Sequence, residues 1–187
     1  DTIIKGGQVV TPGGVGNWDV AVQGEKIVAV ALPGVLPEEG VKIIDASGRI
    51  VVPGGIEPHA HAAANVQPGA QRMVEDTPNA GPIDHSLGAI WGGTTTVIDF
   101  APVPNEGDLA AGIHDFIAPW IGNAYTDYST HCIYRNSNTP DAISRYKELL
   151  DAGFPSIKIF TTDITPSRKG RKITHGHIWE VFKVLKK

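Results

Sequence analysis

Two histidines, His59 and His61, stand two positions apart at the end of an apolar segment that runs from residue 49 to residue 57. Side chains at positions i and i+2 of an extended chain project from the same face, so the two imidazoles point the same way. A pair of neutral imidazoles can bind one transition-metal ion. The motif alone is weak, but here it closes a strand at its carboxyl end, where barrel enzymes build their active sites. The pattern predicts metal ligation, against the alternative of two ordinary loop histidines.

Lys158 is the second residue with a chemical signal, because it interrupts an apolar segment at residues 156–160. Ile157 and Ile159 share one face of that segment; in a barrel this face packs on the helices, which turns the lysine toward the interior. A buried ammonium is costly unless it is paired or neutralised. Two explanations stay open. One is a salt bridge to an inward carboxylate such as Asp99, and the other is reaction of the amine with CO₂ to a carbamate, an anionic ligand that can bridge two metal ions.

The other polar candidates carry weaker signals. Two roles stay open for His131: a residue that supports the metal ligands without binding the metal, or a core histidine satisfied by hydrogen bonds. Asp99 is either a supporting residue of the same kind or a hydrogen-bond acceptor in the barrel interior. Cys132 has no basic partner that the sequence identifies, so we interpret it as a small buried hydrophobe. Imidazoles at i and i+2 diverge on a helix. Four histidines on predicted helices or at a helix start are therefore given no metal role: His85, His114, His175 and His177.

The segments that must position these residues fall into two regimes. The first covers residues 1–52 and contains short strand patterns at 2–4, 8–10, 18–22, 26–30 and 42–44, separated by glycine-rich breaks. The break Gln23-Gly24-Glu25 joins two apolar runs and predicts a hairpin. No stretch in this region has a helical period, so we expect a small β domain.

From residue 53 onward, strand patterns alternate with helical ones. The strand candidates lie at 49–57, 94–100, 128–134 and 156–160. Apolar residues with helical spacing follow each strand: Ile83, Leu87 and Ile90; Leu109, Ile113 and Phe116; Ile143, Tyr146 and Leu150; Ile178, Phe182 and Leu185. Pro140 suits the first turn of the third helix. Strand then helix, four times over, predicts a parallel sheet with right-handed crossovers.

Four such units make half of a (β/α)₈ barrel, whose complete form needs about 250 residues. An open four-stranded doubly wound sheet is the alternative, but no glycine-rich phosphate loop follows any strand, so nucleotide binding has no support. The last predicted helix is amphipathic and continues to the final residue. We therefore expect the chain to be the N-terminal portion of something longer, with residues 1–52 and 53–187 as its two domains.

Composition excludes several classes of protein. The 187 residues carry 16 basic and 20 acidic side chains, which gives a formal net charge of −4. A negative net charge does not favour binding to nucleic acid or to anionic membranes. One cysteine excludes a disulfide framework and a cysteine-based zinc site. No run approaches the roughly 18 apolar residues of a membrane span. We expect a cytoplasmic protein that binds neither nucleic acid nor membrane.

The motifs together resemble those of a known family. In order, they are residues 50–61 (IVVPGGIEPHAH), 92–100 (GGTTTVIDF), 127–131 (DYSTH) and 156–160 (SIKIF). At these separations the chain resembles the hydantoinase/dihydropyrimidinase group of cyclic amidohydrolases, within the amidohydrolase superfamily. The resemblance covers essentially the whole chain. It implies an α/β fold in which the N-terminal part of a (β/α)₈ barrel, residues 53–187, follows a small β-sandwich segment, residues 1–52.

The resemblance also implies a site. His59 and His61 match the pair on the more buried of two divalent metal ions, and Lys158 matches the carboxylated lysine that bridges them. Zinc is the first expectation, with manganese, cobalt or iron as alternatives. The family's two further histidine ligands and its catalytic aspartate would lie beyond Lys187, so this chain holds no catalytic residue besides the metal ligands.

The implied activity is hydrolysis of a small cyclic amide, of the hydantoin or dihydropyrimidine type, by a metal-bridging hydroxide in a homo-oligomeric enzyme. An allantoinase-like or dihydroorotase-like cyclic amidase is one alternative. A non-catalytic dihydropyrimidinase-like scaffold protein is another, although such scaffolds have lost metal ligands and this chain has three. One residue departs from the family: Asp163 stands where hydantoinases usually place a tyrosine that contacts substrate. Either another donor serves, or the loop follows a different path.

Overall fold

The computed structural model of the protein describes residues 1–68, 70, 80–163 and 170–186, and it divides into two compact units, Asp1–Pro53 and Gly54–Lys187. The fold is mixed α/β, as the sequence predicts, with strands alone in the first unit and strands alternating with helices in the second. The identification of these units as a β-sandwich segment and half of a barrel stays a prediction.

The first unit is built from two small sheets. Its strands are β1 (Thr2–Lys5), β2 (Gln8–Thr11), β3 (Gly14–Asn17), β4 (Asp19–Gln23), β5 (Lys26–Ala31), β6 (Lys42–Asp45) and β7 (Ile50–Val51). One sheet has the order β5-β4-β1-β6 and the other the order β3-β2-β7. The predicted hairpin is confirmed, because β4 and β5 pair antiparallel on either side of Gly24.

Two expectations for this region are wrong. The sequence predicts no strand between residues 10 and 18, but β3 lies there and pairs antiparallel with β2. Its two glycines hide its strand character from a propensity argument. The predicted continuous strand at 49–57 is two strands, β7 and a separate strand, β8 (Gly55–Glu57). Pro53 lies between them, and proline has no N–H to give to a ladder.

The second unit is a parallel sheet with helical crossovers, as predicted. Its strands are β8, β9 (Thr94–Pro102), β10 (Asp127–Tyr134) and β11 (Ile157–Ile159), in the order β11-β10-β9-β8. Its helices are α1 (Ala62–Asn65), α2 (Pro82–Trp91), α3 (Leu109–Ile117), α4 (Pro140–Ser144), α5 (Tyr146–Asp151) and α6 (His175–Leu185). All three pairs of neighbouring strands are parallel.

The helix boundaries follow from local chemistry. The Asp108 carboxylate accepts the Ala111 N–H at the start of α3, and the Thr174 hydroxyl caps α6 in the same way. The single helix predicted around Ile143, Tyr146 and Leu150 is instead two helices, because the Glu148 N–H bonds to the Arg145 carbonyl only three residues back. Among the described residues, no helix is both long and apolar enough to cross a membrane.

The sheet of the second unit has two different faces. One packs on the helices through a large apolar cluster that includes Val97, Leu109, Cys132 and Leu149. The other carries a small cluster of three buried residues, Phe100, Ile133 and Phe160. The apolar stripe of α2 is only partly covered, since Ile83, Leu87 and Ile90 are between 39% and 46% exposed.

Two glycines at α2 allow a matched stability test. Gly88 lies inside the helix, and no atom stands within 4 Å of the position that a Cβ would take, so Gly88→Ala should raise the free energy of unfolding by about 1 kcal/mol. Gly93 follows the helix with φ of +84°, also in open space, so Gly93→Ala should lower it by about 1 kcal/mol through backbone strain alone. Denaturant unfolding of both variants measures the difference. If both variants changed the free energy of unfolding in the same direction, backbone conformation would not govern the effect of alanine at these positions.

Candidate metal centre

The register of the parallel strands brings the predicted residues together. Lys158 pairs with Ile133 of β10, and His131 of β10 pairs with Phe100 of β9. Ile157 and Ile159 pack against the cluster on the helix face, while Lys158 lies on the opposite face. The alternation predicted for this strand is confirmed.

Phe100 forms the floor of the candidate site. Its ring centroid is 4.7 Å from that of His59, 4.9 Å from that of His61 and 5.0 Å from that of His131. The Lys158 Nζ lies over the same ring at 3.8 Å from its centroid. Phe100 is 5% exposed, so one buried aromatic ring supports four nitrogen-bearing side chains.

The three residues predicted as metal ligands lie close together above this floor. The Lys158 Nζ is 3.5 Å from His59 Nε2, and the ring centroids of His59 and His61 are 5.4 Å apart. The Phe160 ring lies 5.0 Å from the same Nζ. Two imidazoles that lie this close could bind a divalent metal ion, and the amine beside them would be a ligand only in the form of a carbamate.

The described part of the chain supplies no complete metal cage. Within it, no three histidine, cysteine, aspartate or glutamate side chains form a group that could hold a metal ion. A metal ion held by His59, His61 and Lys158 would therefore need further ligands from elsewhere.

Asp99 lies on the other face of the sheet, so of the two explanations left open for Lys158, a salt bridge to Asp99 is excluded. Its carboxylate is fully buried and accepts the Ala63 N–H at 2.8 Å and the Trp120 indole N–H at 2.9 Å through Oδ2. The Phe100 N–H is 2.6 Å from Oδ1. Strand alternation separates Asp99 from Lys158, so the carboxylate supports the backbone behind the site.

His131 is on the site face and belongs to the hydrogen-bond network around the histidine pair. Its Nε2 lies 3.1 Å from the Pro58 carbonyl oxygen, directly before His59, and its Nδ1 lies 2.6 Å from the Ser156 hydroxyl. Of the two roles left open by the sequence, the structure places it behind the predicted ligands rather than in the apolar core.

Asp163 serves as a backbone acceptor in the segment after β11. The Lys172 N–H donates to Asp163 Oδ1 at 3.1 Å. Hydrogen bonds from the backbone of Lys172, Gly170 and Arg171 lower the pKa of this exposed carboxyl. The Asp163 carboxylate is therefore already hydrogen-bonded by the backbone of its own loop. This supports the expectation that the loop follows a different path from that of the hydantoinases. Residues 164–169 lie outside the described residues.

Two of the remaining histidines, on α6 and α3, have partners of their own. The His177 Nδ1 is 2.9 Å from the Thr174 hydroxyl at the start of α6, and the His114 ring packs against Phe154.

The sequence analysis did not predict two residues that contribute to the candidate site, Phe100 and Ser156. Alternation along β9 and β11 is the signal that could have placed both on the same face as Lys158.

Comparison with curated proteins finds relatives in one group of enzymes. No protein-family model matches the chain. A D-hydantoinase of Streptomyces coelicolor is 32% identical over 162 residues, which cover 85% of this chain and 33% of that protein. A dihydropyrimidinase of Arabidopsis thaliana is 32% identical over 160 residues, or 84% of this chain and 28% of that protein.

Solved structures of the same group also match the chain. A crystal structure of a D-hydantoinase matches with a TM-score of 0.78 at 25% identity, covering 98% of this chain and 38% of the other. The chain thus spans about a third of the length of the curated relatives it matches.

Cys132 offers a test of the helix face of the sheet. The residue is fully buried, and burial raises the pKa of its thiol to about 12. Because the thiolate is the reactive form, we expect no alkylation of Cys132 at pH 8 in the folded protein and complete alkylation after denaturation. Peptide mass spectrometry of iodoacetamide-treated samples measures both states. Rapid labelling of the folded protein would contradict the burial of this face.

Proposed function

The chain belongs to the hydantoinase/dihydropyrimidinase group of cyclic amidohydrolases, and on that premise we propose that the protein carrying it hydrolyses a cyclic amide C–N bond at a metal centre. The observation that carries the proposal is the convergence of His59, His61 and Lys158 over the Phe100 ring. Metal-ligating side chains brought to one face from different strands are typical of a barrel-type active site.

The ligand roles follow from the chemistry of the three side chains. His59 and His61 offer neutral imidazole nitrogens, which zinc, manganese, cobalt and iron all accept, with zinc as our first assignment. An ammonium at Lys158 Nζ, 3.5 Å from His59 Nε2, would repel a bound cation. We therefore assign Lys158 as an N-carboxylated residue, formed with CO₂, whose two oxygens would hold two divalent ions.

The metal ions would supply a Lewis acid for the ring carbonyl and a water molecule with a lowered pKa. The chain's own residues orient and shield this chemistry. Phe100 and Phe160 give Lys158 an apolar, aromatic surround, in which electrostatic interactions are stronger than in water.

The rest of the catalyst is assigned to the remainder of the polypeptide. Residues 53–187 would form the first half of a (β/α)₈ barrel and residues 1–52 part of a β-sandwich. Two further histidine ligands and a catalytic aspartate would come from strands that this chain does not contain. The relatives, of which the chain spans about a third, have the length to hold these elements. We expect the whole protein to be a homo-oligomer.

The ring substrate is the point on which a second candidate has support. A hydantoin or dihydropyrimidine ring is the first assignment, from the names of the relatives. Asp163, an anion held by backbone N–H groups, stands where a phenol would contact such a ring, and this favours an allantoinase-like or dihydroorotase-like substrate as the alternative.

Activity of the full-length protein tests the function. We expect zinc-loaded protein to hydrolyse at least one ring among hydantoin, dihydrouracil, allantoin and dihydroorotate, and to lose that activity with a chelator. A metal-free, inactive protein would instead support the scaffold alternative.

The histidine pair gives the first mutational test. Replacing both His59 and His61 with alanine should reduce bound metal and hydrolysis to background, since both imidazoles are assigned to the ion. The fold should survive, because both side chains are exposed at the carboxyl end of β8. The matched control replaces His85 and His114 and should leave metal content unchanged. Full activity of the first double variant without added metal would exclude a metal hydrolase.

Lys158 gives the second test. Lys158→Ala should lose the bridging ligand and most activity, and a small carboxylate such as acetate should partly restore both. Lys158→Arg should not rescue, because a guanidinium stays cationic and does not ligate metal. Carbon-13 NMR after ¹³CO₂ labelling should show a carbamate in metal-replete protein. An unmodified amine in a fully active enzyme with both ions bound would end the carbamate assignment.

A further inference from the structure

The backbone that carries the histidine pair is held from both faces of the sheet. From these contacts we infer that Asp99 and His131 are positioning residues, which fix the directions of the His59 and His61 imidazoles before metal binds. The inference rests on the proposed metal site and deepens it. Neither residue is assigned to the metal itself.

On the helix face, Asp99 holds the start of α1. The Ala63 N–H is in the first turn of that helix and has no partner within it. Asp99 Oδ2 accepts this N–H at 2.8 Å and the Trp120 indole N–H at 2.9 Å. A fully buried carboxylate is tolerated only when its oxygens are satisfied, so the bonds lock this carboxylate and the segment it holds together. His61 immediately precedes α1 and is therefore fixed at its C-terminal side.

On the site face, His131 holds the other end of the segment. A carbonyl oxygen only accepts, so Nε2 carries the hydrogen that is donated to Pro58 at 3.1 Å. In the neutral ring, Nδ1 then accepts the Ser156 hydroxyl hydrogen at 2.6 Å. Ser156 stands two positions before Lys158, so one imidazole links the segment that follows β8, which carries the histidine pair, to the start of β11.

Two further bonds complete the hold on the segment. The Ala60 N–H donates to the Ile98 carbonyl at 3.1 Å, and the His59 N–H donates to the Glu57 carboxylate at 2.8 Å. Metal sites require ligands placed within about 0.5 Å of the productive geometry, and these anchors restrict the backbone from which both imidazoles project. Loss of such an outer partner typically weakens metal affinity about 10–100-fold.

The test for His131 separates positioning from stability. In the full-length protein, His131→Leu should weaken Zn²⁺ binding about 10–100-fold, measured by competition with a chromophoric chelator. His131→Gln should stay close to wild type, because its amide N–H can still reach the Pro58 carbonyl. Ile133→Val is the control, since it trims a buried side chain on the same face, two positions along β10. It should lower the thermal midpoint of the metal-free protein without changing zinc affinity.

Asp99 has its own matched pair. Asp99→Asn replaces one accepting carboxylate oxygen with an amide N–H₂, which cannot accept a hydrogen bond from an N–H. The segment around His61 should then be held less firmly, and zinc binding should weaken. Trp120→Phe removes the other donor to Asp99 but leaves the bond to Ala63, so it should lower stability while zinc affinity is kept.

Each outcome decides a different claim. Zinc affinity of His131→Leu equal to wild type, or an equal loss in Ile133→Val, would overturn the role of His131. Should His131→Leu fail to fold, Ser156→Ala removes a single hydroxyl and should still weaken zinc binding; unchanged affinity there would overturn it as well. Unchanged affinity in Asp99→Asn would overturn the role of Asp99. Wild-type protein that binds no zinc would overturn the proposed function itself.

Discussion

The parallel register of β8 to β11 is the constraint on which the candidate site depends. It sets Lys158 beside Ile133 and His131 beside Phe100, and strand alternation then sorts side chains between the two faces. The helix face receives apolar residues and one fully satisfied carboxylate, Asp99. The other face receives the nitrogen-bearing side chains of His131 and Lys158. A shift of one residue in any strand would exchange the two sets, and the site would vanish with the core.

The aromatic floor explains how a lysine is tolerated among these imidazoles. A cation–π contact, such as that of Lys158 Nζ with Phe100, contributes about 0.5–2 kcal/mol, whereas removing an ammonium from water costs several kcal/mol when burial is complete. Lys158 is only partly buried here, so the ammonium is tolerated. In the proposed barrel, further structure would cover this face and shift the balance toward the proposed carbamate and its metal ions. Burial, carboxylation and metal binding would thus be linked.

Much of this arrangement could be predicted from residue spacing. The alternation around Lys158 and the four strand–helix units rest on local periodicity, and the structure shows both. The extended strand expected at the histidine pair is wrong: β8 ends at Glu57, and His61 lies at the start of α1, although the centroids of the two rings still lie 5.4 Å apart. The other errors are of another kind. The face occupied by Asp99 depends on which residues of β9 pack on the helices, and the split of the 140–151 helix depends on hydrogen bonding at Arg145. Hydrogen bonds between residues far apart in sequence, such as that between His131 and Pro58, produce no periodic pattern in the sequence, so they could not be predicted from it.

Anomalous X-ray diffraction from crystals of the zinc-loaded full-length protein is the most direct test of the metal centre. We expect two anomalous peaks, one within bonding distance of the His59 and His61 imidazole nitrogens, and continuous density from Lys158 Nζ to a carboxyl group between the peaks. Zinc bound elsewhere in an active enzyme, with no anomalous peak at these three side chains, would contradict the assignment of this face as the catalytic centre.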